Sequence, residues 1–185
     1  MAVLKDSREI LMSGEELFLR PDLEPCELVN GRIVPLSPTG GIHGRAEARL
    51  TTRLSTFVES SQRGEVLTGE VGIYIRRDPD TVRAADVVFI SKERWARYRP
   101  EGYLNVAPEI VVEVLSPGDR RGELAEKLQD YFSAGVDRVW VLDSKQRRIS
   151  AYRSLTDVQH FQVGDILTDE ELLPGFSLAI ADLFG

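Results

Sequence analysis

Val87-Val88-Phe89-Ile90 and Ile110-Val111-Val112 are apolar at every position, so a strand built from either has no face to offer to water. Such strands sit in the middle of a sheet that is covered on both sides, and helices are the usual covers. The four-residue spacing of Ala46, Leu50 and Leu54, with Phe57 and Val58, predicts one helix over 43–60. Leu124, Leu128, Tyr131 and Phe132 predict a second over 120–134. Ser13-Gly14-Glu15-Glu16 is a capping box that opens a short helix over 14–19, and Pro21 ends it. Asn30-Gly31, between apolar runs at 26–29 and 32–36, signals a hairpin because both residues tolerate positive φ. Further strands are expected over 65–76, 85–90, 109–116, 138–143 and 148–152. The tail from Val158 reads as short strands with a closing turn near Leu173-Pro174-Gly175. The expected class is α/β (α+β): a central mixed β-sheet flanked by helices, with an N-terminal β-hairpin. No repeat or linker divides the 185 residues, so an extension with a short helix (1–24) precedes a single domain (25–185).

Composition narrows the class of function. A hydrophobic content of 42% with 29% charged residues is that of a globular chain. No apolar run reaches the roughly 18 residues of a membrane-spanning helix. Lys5, Asp6, Arg8 and Glu9 interrupt the stretch where a signal peptide would be apolar, and lone Cys26 makes neither an internal disulfide nor a cysteine zinc site. A cytoplasmic location is the expectation. The net charge of -7 argues against a polybasic coat for nucleic acid but leaves room for a confined basic groove. Of 23 cations, 19 are Arg and four are Lys: Lys5, Lys92, Lys127 and Lys145. Arg stays protonated and is a poor proton-transfer group, so chemistry that needs an ammonium has few candidates.

Three charged residues fall where a core is expected. Glu113 interrupts Ile110-Val111-Val112-Glu113-Val114-Leu115, and Asp86 heads the run that leads into Ile90. A dehydrated carboxylate is costly unless it is paired, protonated or metal-bound. Two on adjacent central strands repel each other, and a hard divalent cation relieves that conflict. The ordinary alternative is a pair of strand-end acids facing water or Arg. Lys127 lies at the edge of the second helix's apolar stripe, as a snorkelling side chain or as an ammonium reaching the two acids. Glu27 either pairs with an Arg or joins the site. His43, after Gly40-Gly41, either caps its helix or meets a phosphate at the helix N-terminus. Arg45, Arg49 and Arg53 form a stripe that either tracks a nucleic-acid backbone or, interleaved with Glu47, is a solvated face. Glu70 reads as a surface residue, and His160, in a peripheral strand, either packs or faces solvent. Gly40-Gly41 lacks the following Lys-Ser or Lys-Thr of a P-loop.

Glu27-Leu28-Val29-Asn30-Gly31, Ser37-Pro38-Thr39-Gly40 with His43, Arg83-Ala84-Ala85-Asp86-Val87, Val112 to Pro117, Lys127 with Tyr131, and Ala134 to Asp143 occur in an order that resembles the Uma-type family of putative restriction endonucleases, of the PD-(D/E)XK nuclease superfamily. The resemblance spans roughly residues 25–183. It implies a restriction-endonuclease-like core and a hydrolase that cleaves phosphodiester bonds in nucleic acid, DNA before RNA, with Mg2+ (or Mn2+) as cofactor. Asp86 and Glu113 match the acids that hold the ion, with the Val114 carbonyl as a further ligand, and Lys127 matches the catalytic lysine. Two departures stand out. Ala85 replaces the proline before the first acid, and Leu115 stands where a typical superfamily member carries its lysine. Family members resemble this chain in placing that lysine on the following helix, and a stem of about 6 Å can reach the same point. A homodimer would supply the two sites that double-strand cutting needs. Two other functions compete: a catalytically silent binding or assembly module, which retention of both acids and Lys127 disfavours, and a carboxylate-pair glycosidase. The latter leaves Lys127 idle and finds no aromatic residue near the acids in sequence.

Overall fold

The structure, a computed structural model, describes residues 11–184 apart from Glu24, Pro117, Asp119 and Arg120. Residues 1–10 of the N-terminal extension, Lys5 among them, and the Pro117 of the quoted motif lie outside the described residues. Ser13 caps α1 (Gly14–Phe18): its hydroxyl accepts from the Glu16 amide, and the Glu16 carboxylate accepts from the Ser13 amide. The hairpin of β1 (Cys26–Val29) and β2 (Arg32–Pro35) turns at Asn30 and Gly31, both at positive φ. There follow α2 (Gly41–Ser61), β3 (Gly64–Arg76), β4 (Thr81–Ser91), the short α3 (Lys92–Trp95), β5 (Ile110–Val114), α4 (Arg121–Ala134), β6 (Arg138–Asp143), β7 (Arg148–Tyr152), β8 (Val158–Gln162), β9 (Ile166–Asp169), β10 (Leu173–Ala179) and α5 (Ala181–Phe184).

The main sheet runs β2-β1-β4-β5-β6-β7-β8, with β3 paired along β4. It is mixed, because β5 and β6 run parallel while β4 meets β5 antiparallel. The apolar stripe of α2 (Ala46, Leu50, Leu54, Val58) buries against Val87, Phe89, Ile110, Val112 and Trp140, with Phe176 and Leu178 of β10 extending that layer. The other face is covered by α4, whose Leu128 and Tyr131 pack on Ala85, Val88, Val111, Val139 and Val141. The doubly apolar strands therefore lie at the centre of the sandwich, as their composition requires.

Three elements differ from the sequence expectation. β4 begins four residues earlier, at Thr81, and α3 follows it directly. The closing turn lies at 170–172, and Leu173, Pro174 and Gly175 open β10 instead. The β9–β10 register shifts between Leu173 and Leu178. That irregular stretch accommodates Pro174, which has no amide to donate, and Gly175 at φ +85°.

Strand β3 is locked to β4 by a close approach. A Cβ on Gly64 would stand 2.0 Å from the Ile90 carbonyl oxygen, whereas one on Gly44 of α2 would meet open space. Gly64→Ala is expected to cost about 1–3 kcal/mol of unfolding free energy, as overpacking does. Gly44→Ala should instead stabilise by about 0.5–1 kcal/mol, through helix propensity. Urea unfolding of both variants checks the pair; equal effects would contradict the contact.

Candidate functional site

Because β3 occupies one edge of β4 along its length, β1 and β5 must share the other. β1 meets β4 at Leu28↔Val82, and β5 meets it from Val87↔Val112 onward. The stretch 83–86 lies between these partners, and side chains take over the role of a neighbouring strand there. Glu27 Oε1 accepts from the Ala84 amide at 3.1 Å. Lys127 Nζ and the Tyr131 hydroxyl donate to the Ala84 carbonyl at 3.3 and 3.4 Å. Asp86 Oδ2 accepts from the Val114 amide at 2.6 Å, bridging the point where the β4–β5 ladder ends. The charged side chains thus converge on an opening in the sheet.

Glu113, one residue before the end of β5, is 8% exposed. Its Oε2 accepts from Lys127 Nζ at 2.9 Å and its Oε1 from the Tyr131 hydroxyl at 2.6 Å. Lys127 also lies 3.1 Å from Glu27 Oε1. Glu27, 3% exposed, places its other oxygen 2.7 Å from Arg83 NH1, and Arg83 reaches Asp130 at 2.8 Å. Across Asp86, His43 Nε2 lies 3.4 Å from Oδ1 and 3.8 Å from Glu47, while His43 Nδ1 is 3.2 Å from the Ser116 hydroxyl. Thr68 donates to both Glu47 and the Asp86 carbonyl.

Burial pushes the Glu113 carboxyl up to about 7, and the Asp86 charge pushes it the same way, against the pull of Lys127 and Tyr131. Burial works against the Lys127 charge, yet Glu113 and Glu27 together hold its pKa above the ordinary lysine value. Burial, followed by the charges of Glu113 and Glu27, also raises the Tyr131 hydroxyl well above its usual value, so it remains a donor. Asp86, Glu113, Glu47, Glu27 and Asp130 face Arg83 and Lys127 as permanent cations, with His43 charged only when protonated. That excess of carboxylate, buried at Glu27 and Glu113 and part-buried at the others, suits a divalent cation. Ligand atoms of His43, Glu47 and Asp86 all lie within 4.8 Å of one another, a grouping of oxygen and imidazole donors that can hold one.

The structure brings Asp86, Glu113, Lys127, Glu27 and His43 to one opening. Glu27 combines both readings of it, since it pairs with Arg83 and also touches Lys127. Gly40, rather than His43, is the N-cap residue of α2. The Arg stripe divides: Arg49 donates to the Leu183 carbonyl and Arg53 pairs with Asp182, both on α5, whereas Arg45 is exposed in the turn after His43. Glu70 is exposed, and His160 on the outer strand β8 bonds Ser150. Sequence reasoning left Arg83, Asp130 and Glu47 without a part. Only Glu47 carried a usable signal, its i,i+4 spacing from His43. Tyr131 does stand beside Glu113, but its ring is fully buried between α4 and the sheet and offers no sugar-stacking face.

A family model described as "Putative restriction endonuclease" (Uma2) matches residues 15–181. No curated protein matches. Among solved structures, the chain is similar to the crystal structure of a putative nuclease belonging to DUF820 from Anabaena variabilis ATCC 29413. The TM-score is 0.75 at 17% identity, over 92% of this chain and 97% of that one. No described helix is long and apolar enough to cross a membrane.

Proposed function

Because the chain belongs to the Uma2 family of putative restriction endonucleases and has a nuclease-like fold, we propose that it is a divalent-cation-dependent endonuclease that hydrolyses phosphodiester bonds in DNA. The observation that carries this reading is the opening between β1 and β5. There the part-buried Asp86 and the buried Glu113, on neighbouring strands, meet the part-buried ammonium of Lys127. Asp86 and Glu113 would hold Mg2+ or Mn2+, with the Val114 carbonyl and the His43–Glu47 side as further donors. The ion, when bound, supplies Lewis-acid polarisation of the phosphate and a water of lowered pKa.

The chain's own residues do the rest. The Val114 amide fixes the Asp86 carboxylate in one orientation, so it is pre-set for its ligand. Lys127, charged throughout the neutral range, stabilises the negative charge that grows on the phosphorane and orients the attacking water. Arg45, at the exposed start of α2, contacts the DNA backbone, while Arg49 and Arg53 mainly hold α5 in place. The test is a panel of supercoiled, linear double-stranded and single-stranded DNA and of RNA, each with Mg2+, Mn2+ or EDTA. Metal-dependent cleavage of DNA is expected. Chelator-resistant cleavage, or cleavage of RNA alone, would contradict the assignment.

Glu113 adds a pH dependence of fixed sign. Its folded pKa of about 7 lies above the ordinary 4.5. The metal-free fold therefore gains stability from its protonation, fully below the unfolded value, and loses that gain as pH rises through about 7. A cation needs the carboxylate, so Mg2+ affinity should weaken as pH falls from about 8 to about 6, with proton release on binding. Calorimetric titration in buffers of different ionisation enthalpy reads both. A pH-independent affinity without proton release would remove Glu113 from the ligand set.

A further inference from the structure

Glu27 carries no part in the chemistry just described, yet it bears on what happens to Lys127 when Glu113 binds a cation. Both Glu113 oxygens are occupied, Oε2 by Lys127 and Oε1 by Tyr131. A cation that takes this carboxylate competes with both donors, and a part-buried ammonium stripped of its acceptor is costly. Each donor already has a second acceptor within reach. Tyr131 Oη lies 3.4 Å from the Ala84 carbonyl, and Lys127 Nζ lies 3.3 Å from that carbonyl and 3.1 Å from Glu27 Oε1. Glu27 is itself immobilised: the Ala84 amide holds Oε1 at 3.1 Å, and Arg83, anchored to Asp130, holds Oε2 at 2.7 Å.

We propose that Glu27 is a positioning residue that keeps the Lys127 ammonium at the opening when Glu113 turns from the lysine to a divalent cation. This rests on the metal-dependent reading of the site. The N-terminal hairpin thereby becomes part of the working site: β1 presents Glu27 to the same stretch of β4 from which Asp86 projects. Glu113 is shared between lysine and cation, whereas Glu27 keeps its lysine contact beside those with Arg83 and the Ala84 amide and takes no part in holding the cation. Arg83 and Asp130 act one step further out, by fixing Glu27.

The test uses the full chain and two readouts. In Glu27→Gln, kcat for Mg2+-dependent cleavage of supercoiled plasmid should fall about 10–100-fold with KM for plasmid and Mg2+ affinity unchanged, as for partners outside the ligand set. The second readout does not need cleavage. The chain has four lysines, so the side-chain 15N–1H ammonium signal of Lys127 can be assigned by its loss in Lys127→Arg. In the wild-type protein this signal should persist when Mg2+ is added. In Glu27→Gln it should be present without Mg2+, while Glu113 still holds the ammonium, and vanish into exchange with water when Mg2+ is added. A signal that survives Mg2+ in Glu27→Gln overturns the proposal whatever the activity. So does a wild-type signal that is lost on adding Mg2+, or a kcat that stays at the wild-type level. If Glu27→Gln does not fold, Glu27→Asp keeps the charge opposite Arg83 while withdrawing it from Lys127; it should lose the signal with Mg2+ in the same way, and retention counts against the idea. A wild-type protein that cleaves nothing sinks the nuclease reading, while the ammonium signal still decides the role of Glu27.

Discussion

Asp86→Asn is expected to slow Mg2+-dependent DNA cleavage by about a thousandfold, the scale of removing one charge-stabilising group from a preorganised site. The substitution isolates charge from structure. Asn keeps an oxygen that can accept from the Val114 amide, so the bridge across the end of the β4–β5 ladder survives. Removing the Asp86 charge also relieves the repulsion that helps raise the Glu113 pKa. The metal-free variant should therefore unfold in urea at no lower a midpoint than the wild type. Loss of activity with retained or improved stability is the pattern of a site built at the expense of the fold. A variant that is less stable in proportion to its lost activity would make Asp86 a structural residue.

Arg83→Met should have the largest effect on stability, about 3–5 kcal/mol, because it removes one partner from a buried ion cluster. Arg83 is 7% exposed and is the link between Glu27 and Asp130. Without it the buried Glu27 keeps Lys127 and the Ala84 amide, and Asp130 loses its guanidinium. The loss is a large fraction of the 5–15 kcal/mol that a typical domain has in total. Equilibrium urea unfolding at neutral pH measures it. A loss below about 1 kcal/mol would mean that water or Lys127 fully replaces the guanidinium.

The acids were legible in sequence because Glu113 interrupts, and Asp86 heads, a run that is otherwise apolar on both faces, and such a run has only one place in a sheet. Lys127 was legible because four lysines leave few choices and helical spacing puts it at the edge of the buried stripe; its side chain is 20% exposed. Arg83 was not legible, for a complementary reason. One Arg among 19 carries no contrast, and with the strand expected to begin at Ala85, position 83 read as the approach to a strand. The structure extends β4 back to Thr81 and buries it. Tyr131 belonged to the apolar stripe of α4 on spacing alone, and periodicity cannot say that its hydroxyl ends on Glu113. His43 and Glu47 share a helix face at i,i+4, but only the tertiary placement of α2 against β4 brings Asp86 to them. The turn misplaced at Leu173-Pro174-Gly175 shows the limit of Pro-Gly as punctuation, because an irregular two-stranded edge can absorb both residues.

The most direct measurement is cleavage of supercoiled plasmid by the wild-type protein and by Asp86→Asn/Glu113→Gln, purified in parallel and assayed with Mg2+ and with excess EDTA. The predicted result is cleavage by the wild type with Mg2+, none with EDTA, and none by the folded double variant under either condition. Cleavage that survives in the double variant, or a wild-type protein that neither cleaves DNA nor binds Mg2+, would contradict the account.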